Sequence, residues 1–191
     1  MPAIADRHED GGIPGWCFPE QLAWLRVQAR THARILELGA WKGRITAALA
    51  EETPGKVWAV DRFYSDDPDD EVTLGTETPE QLFMAWRSNV AHVARKVELL
   101  PMESHEARRR LGHLCFDMVW LDADHRYEPV RQHIRDWRSL LVPGGLLCGH
   151  DAERPFVRRA VDELVPGAQF HATRQPAPYE HRPSLIWWAV V

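Results

Sequence analysis

The sequence has few of the features that define several large protein classes. Only three cysteines occur in 191 residues, and their wide separation excludes a disulfide framework and a paired-cysteine zinc site. The longest apolar run, residues 185–191, is far shorter than the ~18 residues that a membrane span requires. No basic cap followed by an apolar stretch opens the chain, so no secretory signal is indicated. These absences predict a cytoplasmic protein without a membrane partner.

Acidic residues outnumber basic ones, and the acidic surplus is concentrated in one segment. The formal net charge is −5, which argues against a general nucleic-acid-binding protein. Eight acidic residues and a single basic residue, Arg62, lie between positions 61 and 80, so the rest of the chain is slightly positive. We predict a flexible N-terminal arm over residues 1–15 and one domain over 16–191. Within that domain, residues 62–80 are predicted to form an acidic, lid-like insertion.

Short apolar runs alternate with helical patterns along the chain. The predicted strands are 33–38, 57–60, 97–100, 116–121 and 146–148, followed by an antiparallel closing pair at 168–172 and 184–191. The predicted helices are 19–29, 44–52, one opening at Pro79, 103–112, 128–141 and 154–164, with the segment 143–145 ending the fifth. This alternation predicts a Rossmann-like α/β fold. Its doubly wound, seven-stranded sheet is mostly parallel with an antiparallel closing strand, and helices cover both faces.

Polar residues and glycines follow the predicted strands where ligands of such sheets bind. Gly39 and Gly43 frame a turn after the first strand, although their G-x-x-x-G spacing is not the G-x-G-x-x-G of a dinucleotide site. Asp61 ends the second strand, 22 residues after Gly39, where an acid can accept hydrogen bonds from ribose hydroxyls. A nucleotide-type ligand is therefore favoured at this edge, with a solvated strand-end acid as the alternative for Asp61.

Five segments carry a family resemblance: ILELGAWKGRIT, VWAVD, FDMVWLDADHRYEPVRQHIRDW, LLVPGGLLCGHD and FVRRAVDEL. They resemble the class I S-adenosylmethionine-dependent methyltransferases, and among them methyltransferase family 24, which includes small-molecule O-methyltransferases. The resemblance spans roughly residues 15–191, and the DADHxY, PGG and GHD elements carry most of its specificity.

The resemblance implies where S-adenosylmethionine would bind. In this family the loop after the first strand holds the methionine part, the acid after the second strand holds the ribose, and the segment after the third strand meets the adenine. The corresponding positions, with two acids after the fourth strand, are Glu37, Gly39, Ala40, Trp41, Gly43, Asp61, Met102, Glu103, Ser104, Asp122 and Asp124. Glu103 is expected to accept from the adenine amino group, with Met102 against the ring.

A second cluster predicts the chemistry. Asp122 ends the fourth strand and His150 and Asp151 follow the fifth, and carboxylates with an imidazole are suitable ligands for a divalent cation such as Mg²⁺ or Mn²⁺. Catechol-type and macrolide-sugar O-methyltransferases, which the chain resembles, hold a metal at these positions, but they have an acid where His150 stands. A metal-free site therefore stays open. His125 occupies the position of their catalytic lysine and can take a proton from a hydroxyl, so His125, Asp122 and Asp151 are the predicted catalytic residues.

These observations predict an S-adenosylmethionine-dependent methyltransferase that acts on a small-molecule hydroxyl. One alternative is a nicotinamide-dependent oxidoreductase on a related fold, and another is a catalytically idle methyltransferase-like binding protein. An oxygenase-linked role is a third alternative. The tail at 186–188, Ile-Trp-Trp, is interpreted either as a closing strand or as part of a homodimer contact.

Overall fold

A computed structural model describes residues 12–66, 77–176 and 183–191. Residues 1–11 of the predicted arm and 67–76 of the predicted lid-like insertion lie outside this described part. The described end of the arm packs against the domain, because the backbone oxygen of Ile13 accepts a hydrogen bond from Arg44 at 2.8 Å.

Strands and helices alternate as the sequence predicts. The helices are α1 (Pro19–Ala29), α2 (Arg44–Glu52), α3 (Pro79–Asn89), α4 (Ser104–Leu111), α5 (Tyr127–Arg138) and α6 (Pro155–Leu164). The strands are β1 (Arg34–Leu38), β2 (Lys56–Val60), β3 (Val97–Leu100), β4 (Phe116–Leu121), β5 (Leu141–Gly149), β6 (Gln169–Pro176) and β7 (Pro183–Val190). Proline at the first turn of α1, α3 and α6 favours these starts, because that position needs no backbone N–H donor.

The seven strands form one sheet in the order β3-β2-β1-β4-β5-β7-β6. Strands β1 to β5 pair in parallel, whereas β7 pairs antiparallel with both β5 and β6. This confirms the predicted mostly parallel sheet with its antiparallel closing strand. The order reverses at β1, so the loops after β1, β2 and β4 meet at the edge where such sheets bind ligands.

Apolar layers on the two faces of the sheet hold the fold together. Trp120, Trp137 and Trp187, three of the nine tryptophans, are the largest side chains that are fully buried. Trp137 lies on the inner face of α5 with Val130 and Ile134, at the helical spacing that the sequence shows. Burial of such large side chains contributes roughly 1.5–3 kcal/mol each.

One local prediction was wrong. The fifth helix ends at Arg138, and β5 already begins at Leu141, so the Pro-Gly-Gly segment lies inside a strand instead of ending a helix. Pairing with the C-terminus explains this, because Gly144 donates to the Val191 backbone oxygen and Val191 donates to that of Gly145. A 3-10 helix at Ala91–Lys96 was also not predicted.

None of the helices in the described residues is long and apolar enough to cross a membrane.

Candidate active site

The loop after β1 depends on two glycines in the left-handed region. Gly39 has φ +91°, and a Cβ at this position would lie 2.0 Å from the backbone oxygen of Asp122, so only glycine lets the loop rest on the chain that follows β4. Gly43 has φ +86° and a Cβ there would lie 2.8 Å from Val90. The G-x-x-x-G spacing therefore serves close packing of the loop against both β4 and α3.

Asp61 fixes the same loop from the end of β2. Its Oδ2 accepts the backbone N–H groups of Ala40 and Trp41, both at 2.7 Å, and its Oδ1 accepts that of Phe63 at 2.6 Å. Burial raises the pKa of Asp61, whereas these backbone hydrogen bonds and Arg62 act in the opposite direction. The predicted ribose ligand thus also organises the predicted methionine loop.

Glu37 lies beneath this loop with no solvent exposure. Its Oε2 accepts the Thr46 hydroxyl at 2.5 Å, and Trp86 donates its indole N–H to the same Thr46 oxygen at 3.2 Å. Within the described residues, Oε1 has no hydrogen-bond partner. Burial raises the pKa of Glu37 to about 8. The hydrogen bond from Thr46 acts to lower this pKa, whereas the charges of Asp61 and Asp122 act to raise it.

The segment after β3 is already engaged by the chain itself. Tyr64 and Arg62 donate to Oε1 of Glu103 at 2.7 and 3.2 Å. The Ser104 hydroxyl accepts the indole N–H of Trp137 at 3.0 Å, and Met102 packs against the core. Ser104 therefore has a structural partner, while Glu103 faces the residues that follow β2.

The predicted catalytic cluster comes together at the ends of β4 and β5. His125 Nε2 lies 2.8 Å from Asp151 Oδ2. Asp122, His125 and Asp151 each offer one ligand atom, and these atoms lie within 4.8 Å of one another. His150 Nδ1 lies 3.4 Å from Asp151 Oδ2 and 3.8 Å from Asp122 Oδ1. All four residues line one cleft.

The charges of this cluster are strongly coupled. Burial raises the pKa of Asp122 to about 7, with a further increase from Asp151. Burial also acts to raise the pKa of Asp151, but His150 and His125 outweigh it and hold that pKa well below its ordinary value. The two carboxylates outweigh the burial of His150 and raise its pKa to about 9. Such an arrangement can bind a cation and can orient an imidazole.

Asp124, one of the predicted cofactor positions, has Arg126 as its partner in the structure. Its carboxylate accepts from the backbone and the guanidinium of Arg126, at 2.8 and 2.6 Å. Arg126 also reaches Asp66 at 3.2 Å, in the predicted lid-like insertion. His125 is thus oriented by Asp151, and Asp124 joins the loop after β4 to the segment after β2.

Sequence reasoning missed three residues of this region. His133 lines the cleft from α5, and burial lowers its pKa to about 4 despite Asp124 and Asp136. Gln21 and Ser184 contact the far side of the His150 ring. Only Gln21 had a signal, because it shares the buried face of α1 with Leu25 and Ala29 at a spacing of four residues.

Comparison with known proteins identifies the family to which the chain belongs. The family model of methyltransferase family 24, described as a methyltransferase domain, matches residues 36–152, which include β1 to β5 and the loops described above. The chain belongs to this methyltransferase family. No curated protein matches its sequence. A nicotinamide-dependent oxidoreductase is thereby set aside, and the protein is an S-adenosylmethionine-dependent methyltransferase.

Solved structures share the methyltransferase fold over nearly the whole chain. An O-methyltransferase from Bacillus cereus, solved in complex with SAH, is 18% identical with a TM-score of 0.69, covering 91% of this chain and 82% of its own. The O-methyltransferase TomG from Streptomyces achromogenes, involved in tomaymycin synthesis and solved with SAM, is 18% identical with a TM-score of 0.68, covering 91% and 81%. A precorrin-6y C5,15-methyltransferase from Geobacter metallireducens is 16% identical with a TM-score of 0.67, covering 100% of both chains.

Proposed function

We propose that this methyltransferase transfers the methyl group of S-adenosylmethionine to a hydroxyl oxygen of a small molecule. The observation that carries the proposal is the 2.8 Å contact between His125 and Asp151, beside Asp122 and next to the loop that Asp61 organises. An imidazole held by a carboxylate is suited to remove a proton from a hydroxyl. The O-methyltransferases among the structural neighbours are consistent with this reaction.

The residues present fit the cofactor. Asp61 accepts three backbone hydrogen bonds, and because a carboxylate can accept about four, it retains capacity for a ribose hydroxyl. The buried Oε1 of Glu37, without a partner among the described residues, is suited to a positively charged group such as an ammonium. S-adenosylmethionine supplies a methyl group on a sulfonium, which is already activated for in-line displacement by an oxygen. Positioning and a deprotonated oxygen are then what the protein provides.

The side chains have separate parts in this reaction. His125 takes the hydroxyl proton, and its Nε2 lies 2.8 Å from the Asp151 carboxylate that orients the ring. Asp151 holds the ring in this orientation and stabilises the imidazolium that forms. The remaining cofactor contacts are assigned to Gly39, Ala40, Trp41, Gly43, Met102, Glu103, Ser104, Asp122 and Asp124.

The donor set also fits a divalent cation. Asp122, His150 and Asp151 would hold it, and His125 lies within reach of the same position. Two carboxylates with imidazole nitrogen are suited to Mn²⁺, Fe²⁺ or Zn²⁺ more than to Mg²⁺, which prefers oxygen ligands. Such a cation would act as a Lewis acid that lowers the pKa of the substrate hydroxyl. We include this metal assistance in the proposal.

Calorimetry with S-adenosylmethionine tests the assignment at its base. We expect the wild-type protein to bind the cofactor and Asp61→Ala to weaken binding severely, while Asp162→Ala, at an exposed position on α6, leaves it unchanged. Absence of binding at millimolar cofactor would exclude the proposed function.

A turnover assay tests the reaction type. Catechols, phenols and sugars are incubated with S-adenosylmethionine, and S-adenosylhomocysteine and methylated product are measured by mass spectrometry. On any substrate found, His125→Asn is expected to reduce kcat by about 10²–10⁴-fold with little change in cofactor affinity. A methylated nitrogen or carbon in the product would contradict O-methylation but not methyl transfer.

A further inference from the structure

His150 is buried, and both of its ring nitrogens face polar partners. On one side, Nε2 lies 3.2 Å from Gln21 Oε1 and 3.0 Å from Ser184 Oγ. On the other side, Nδ1 faces the carboxylates of Asp151 and Asp122, at 3.4 and 3.8 Å. The orientation of this ring is therefore defined from two directions, and the partners of Nε2 come from α1 and β7.

The amide of Gln21 has only one consistent orientation. Its Oε1 accepts the backbone N–H of Phe18 at 2.9 Å, and its Nε2 donates to Ser184 Oγ at 3.0 Å. Exchanging the two amide atoms would place a donor against the Phe18 N–H, so Oε1 is the atom that faces His150. Because Oε1 only accepts hydrogen bonds, its 3.2 Å contact with His150 is a hydrogen bond when Nε2 of His150 carries a hydrogen.

This requirement selects one tautomer of the neutral imidazole. With the hydrogen kept on Nε2, the proton that a cation displaces from the ring is the one on Nδ1, and the lone pair left there is directed at Asp122 and Asp151. Histidines that bind metals usually donate their other ring N–H to an oxygen acceptor, and this bond fixes both tautomer and ring orientation. Gln21 supplies that acceptor from a fully buried position.

We propose that Gln21 is a positioning residue that presents Nδ1 of His150, together with Asp122 and Asp151, to a divalent cation. The inference rests on the metal assistance included in the proposed function and deepens it. Gln21 precedes the region 36–152 that the family model matches, and Ser184 follows it. The histidine that stands in place of an acid therefore has partners from outside the matched region, and α1 is part of the site rather than only a cover for the sheet.

The test is an Mn²⁺ titration of the full-length protein, followed by the loss of the free-ion signal in electron paramagnetic resonance. We expect Gln21→Met, which removes the acceptor at similar volume, to weaken Mn²⁺ binding by about 10–100-fold. Gln21→Glu retains an acceptor oxygen, and its affinity for Mn²⁺ should be no more than threefold weaker than that of wild type. Gln28→Met is the matched control, because it removes an amide from the same helix, seven residues after Gln21. It should bind Mn²⁺ as tightly as wild type does.

A second variant and a second readout keep the test decisive. If Gln21→Met does not fold, Gln21→Asn, which is one methylene shorter and leaves the oxygen out of reach, should show the same loss. Calorimetry with S-adenosylmethionine checks that each variant is folded and that its cofactor site is intact. All variants should bind the cofactor with wild-type affinity. Wild-type affinity for Mn²⁺ in both variants, or equal loss in Gln21→Glu, would overturn the role of Gln21. No Mn²⁺ binding by wild type would also overturn it, whereas methyltransferase function is refuted only if cofactor binding is missing.

Discussion

Trp41 donates its backbone N–H to the Asp61 carboxylate over 2.7 Å, and does so from a left-handed backbone conformation with φ +40°. This conformation is costly for a bulky residue, by roughly 1–2 kcal/mol. The charge-assisted bond to Asp61 offsets the cost and directs the loop after β1 towards β2. Asp61 thus has a structural role before any cofactor binds.

We therefore predict that Asp61→Ala destabilises the cofactor-free protein as well as weakening cofactor binding. Three backbone donors lose their acceptor, and an unpaired buried group costs roughly 1–3 kcal/mol. A loss of about 2–4 kcal/mol in the free energy of unfolding is expected from urea denaturation without cofactor. Unchanged stability together with lost binding would mean that Asp61 contacts only the ligand.

Two glycines with similar backbone conformations allow a controlled test of the loop. Gly39 and Gly167 have φ +91° and +82°, but a Cβ would lie 2.0 Å from a backbone oxygen at Gly39 and meets nothing within 4 Å at Gly167. Gly167→Ala should therefore cost only the conformational term of about 1–2 kcal/mol. Gly39→Ala should cost clearly more and should abolish S-adenosylmethionine binding. Equal losses in thermal stability would contradict a close approach of the loop to β4.

Glu103 provides a test of the predicted adenine contact. Burial acts to raise the pKa of Glu103, but hydrogen bonds from Tyr64 and Arg62 outweigh it and hold that pKa below its ordinary value. The carboxylate is thus ionised and held in place. Because Glu103 is predicted to accept from the adenine amino group, Glu103→Gln should weaken S-adenosylmethionine binding by about tenfold in calorimetry.

Tyr64→Phe is the matched variant for this prediction. It removes one hydrogen bond to Glu103 but leaves the carboxylate and Arg62 in place. We expect a change in cofactor affinity of less than threefold. A larger effect from Tyr64→Phe than from Glu103→Gln would indicate that the tyrosine, rather than the glutamate, meets the adenine.

The sequence was sufficient for the fold because its signals are local. Gly39, Asp61 and Asp122 each follow a run of apolar residues, and parallel strands bring their carboxyl ends to one edge whatever the details of packing. The antiparallel closing pair was predicted from the apolar runs at 168–172 and 184–191, whereas the order of the strands was not predicted. Predictions of this kind depend on residue type and position and not on where a side chain points.

Features that arise from distant pairings could not be predicted in the same way. The contact of His150 with Gln21 joins residues 129 positions apart, and β5 is extended by pairing of Gly145 with Val191. His125, the proposed base, lies beside the cluster, but its contact with Asp151 was not predicted. Hydrogen-bond partners across the fold are set by tertiary packing, which a single sequence does not display.

Glu37 leads to a prediction about pH. Burial raises its pKa from the ordinary value of 4.5 to about 8 in the folded protein, so the folded state keeps a proton that the unfolded state loses over this range. The unfolded state is therefore favoured progressively as the pH rises from 4.5 to 8, and the contribution of Glu37 to stability falls across that window. Glu37→Gln removes the titrating group at nearly the same volume. Its free energy of unfolding should exceed that of wild type increasingly with pH, by a few kcal/mol at pH ~8.

Urea denaturation of the cofactor-free protein at a series of pH values measures this difference. Glu80→Gln, at an exposed position on α3, is the control and should follow the wild-type curve. S-adenosylmethionine is expected to reduce the difference, because a bound cationic group favours the ionised form of Glu37 and so offsets its burial. A pH-independent difference between wild type and Glu37→Gln would show that the carboxyl does not titrate in this window, and the assignment of Oε1 to a cationic group of the cofactor would then lose its support.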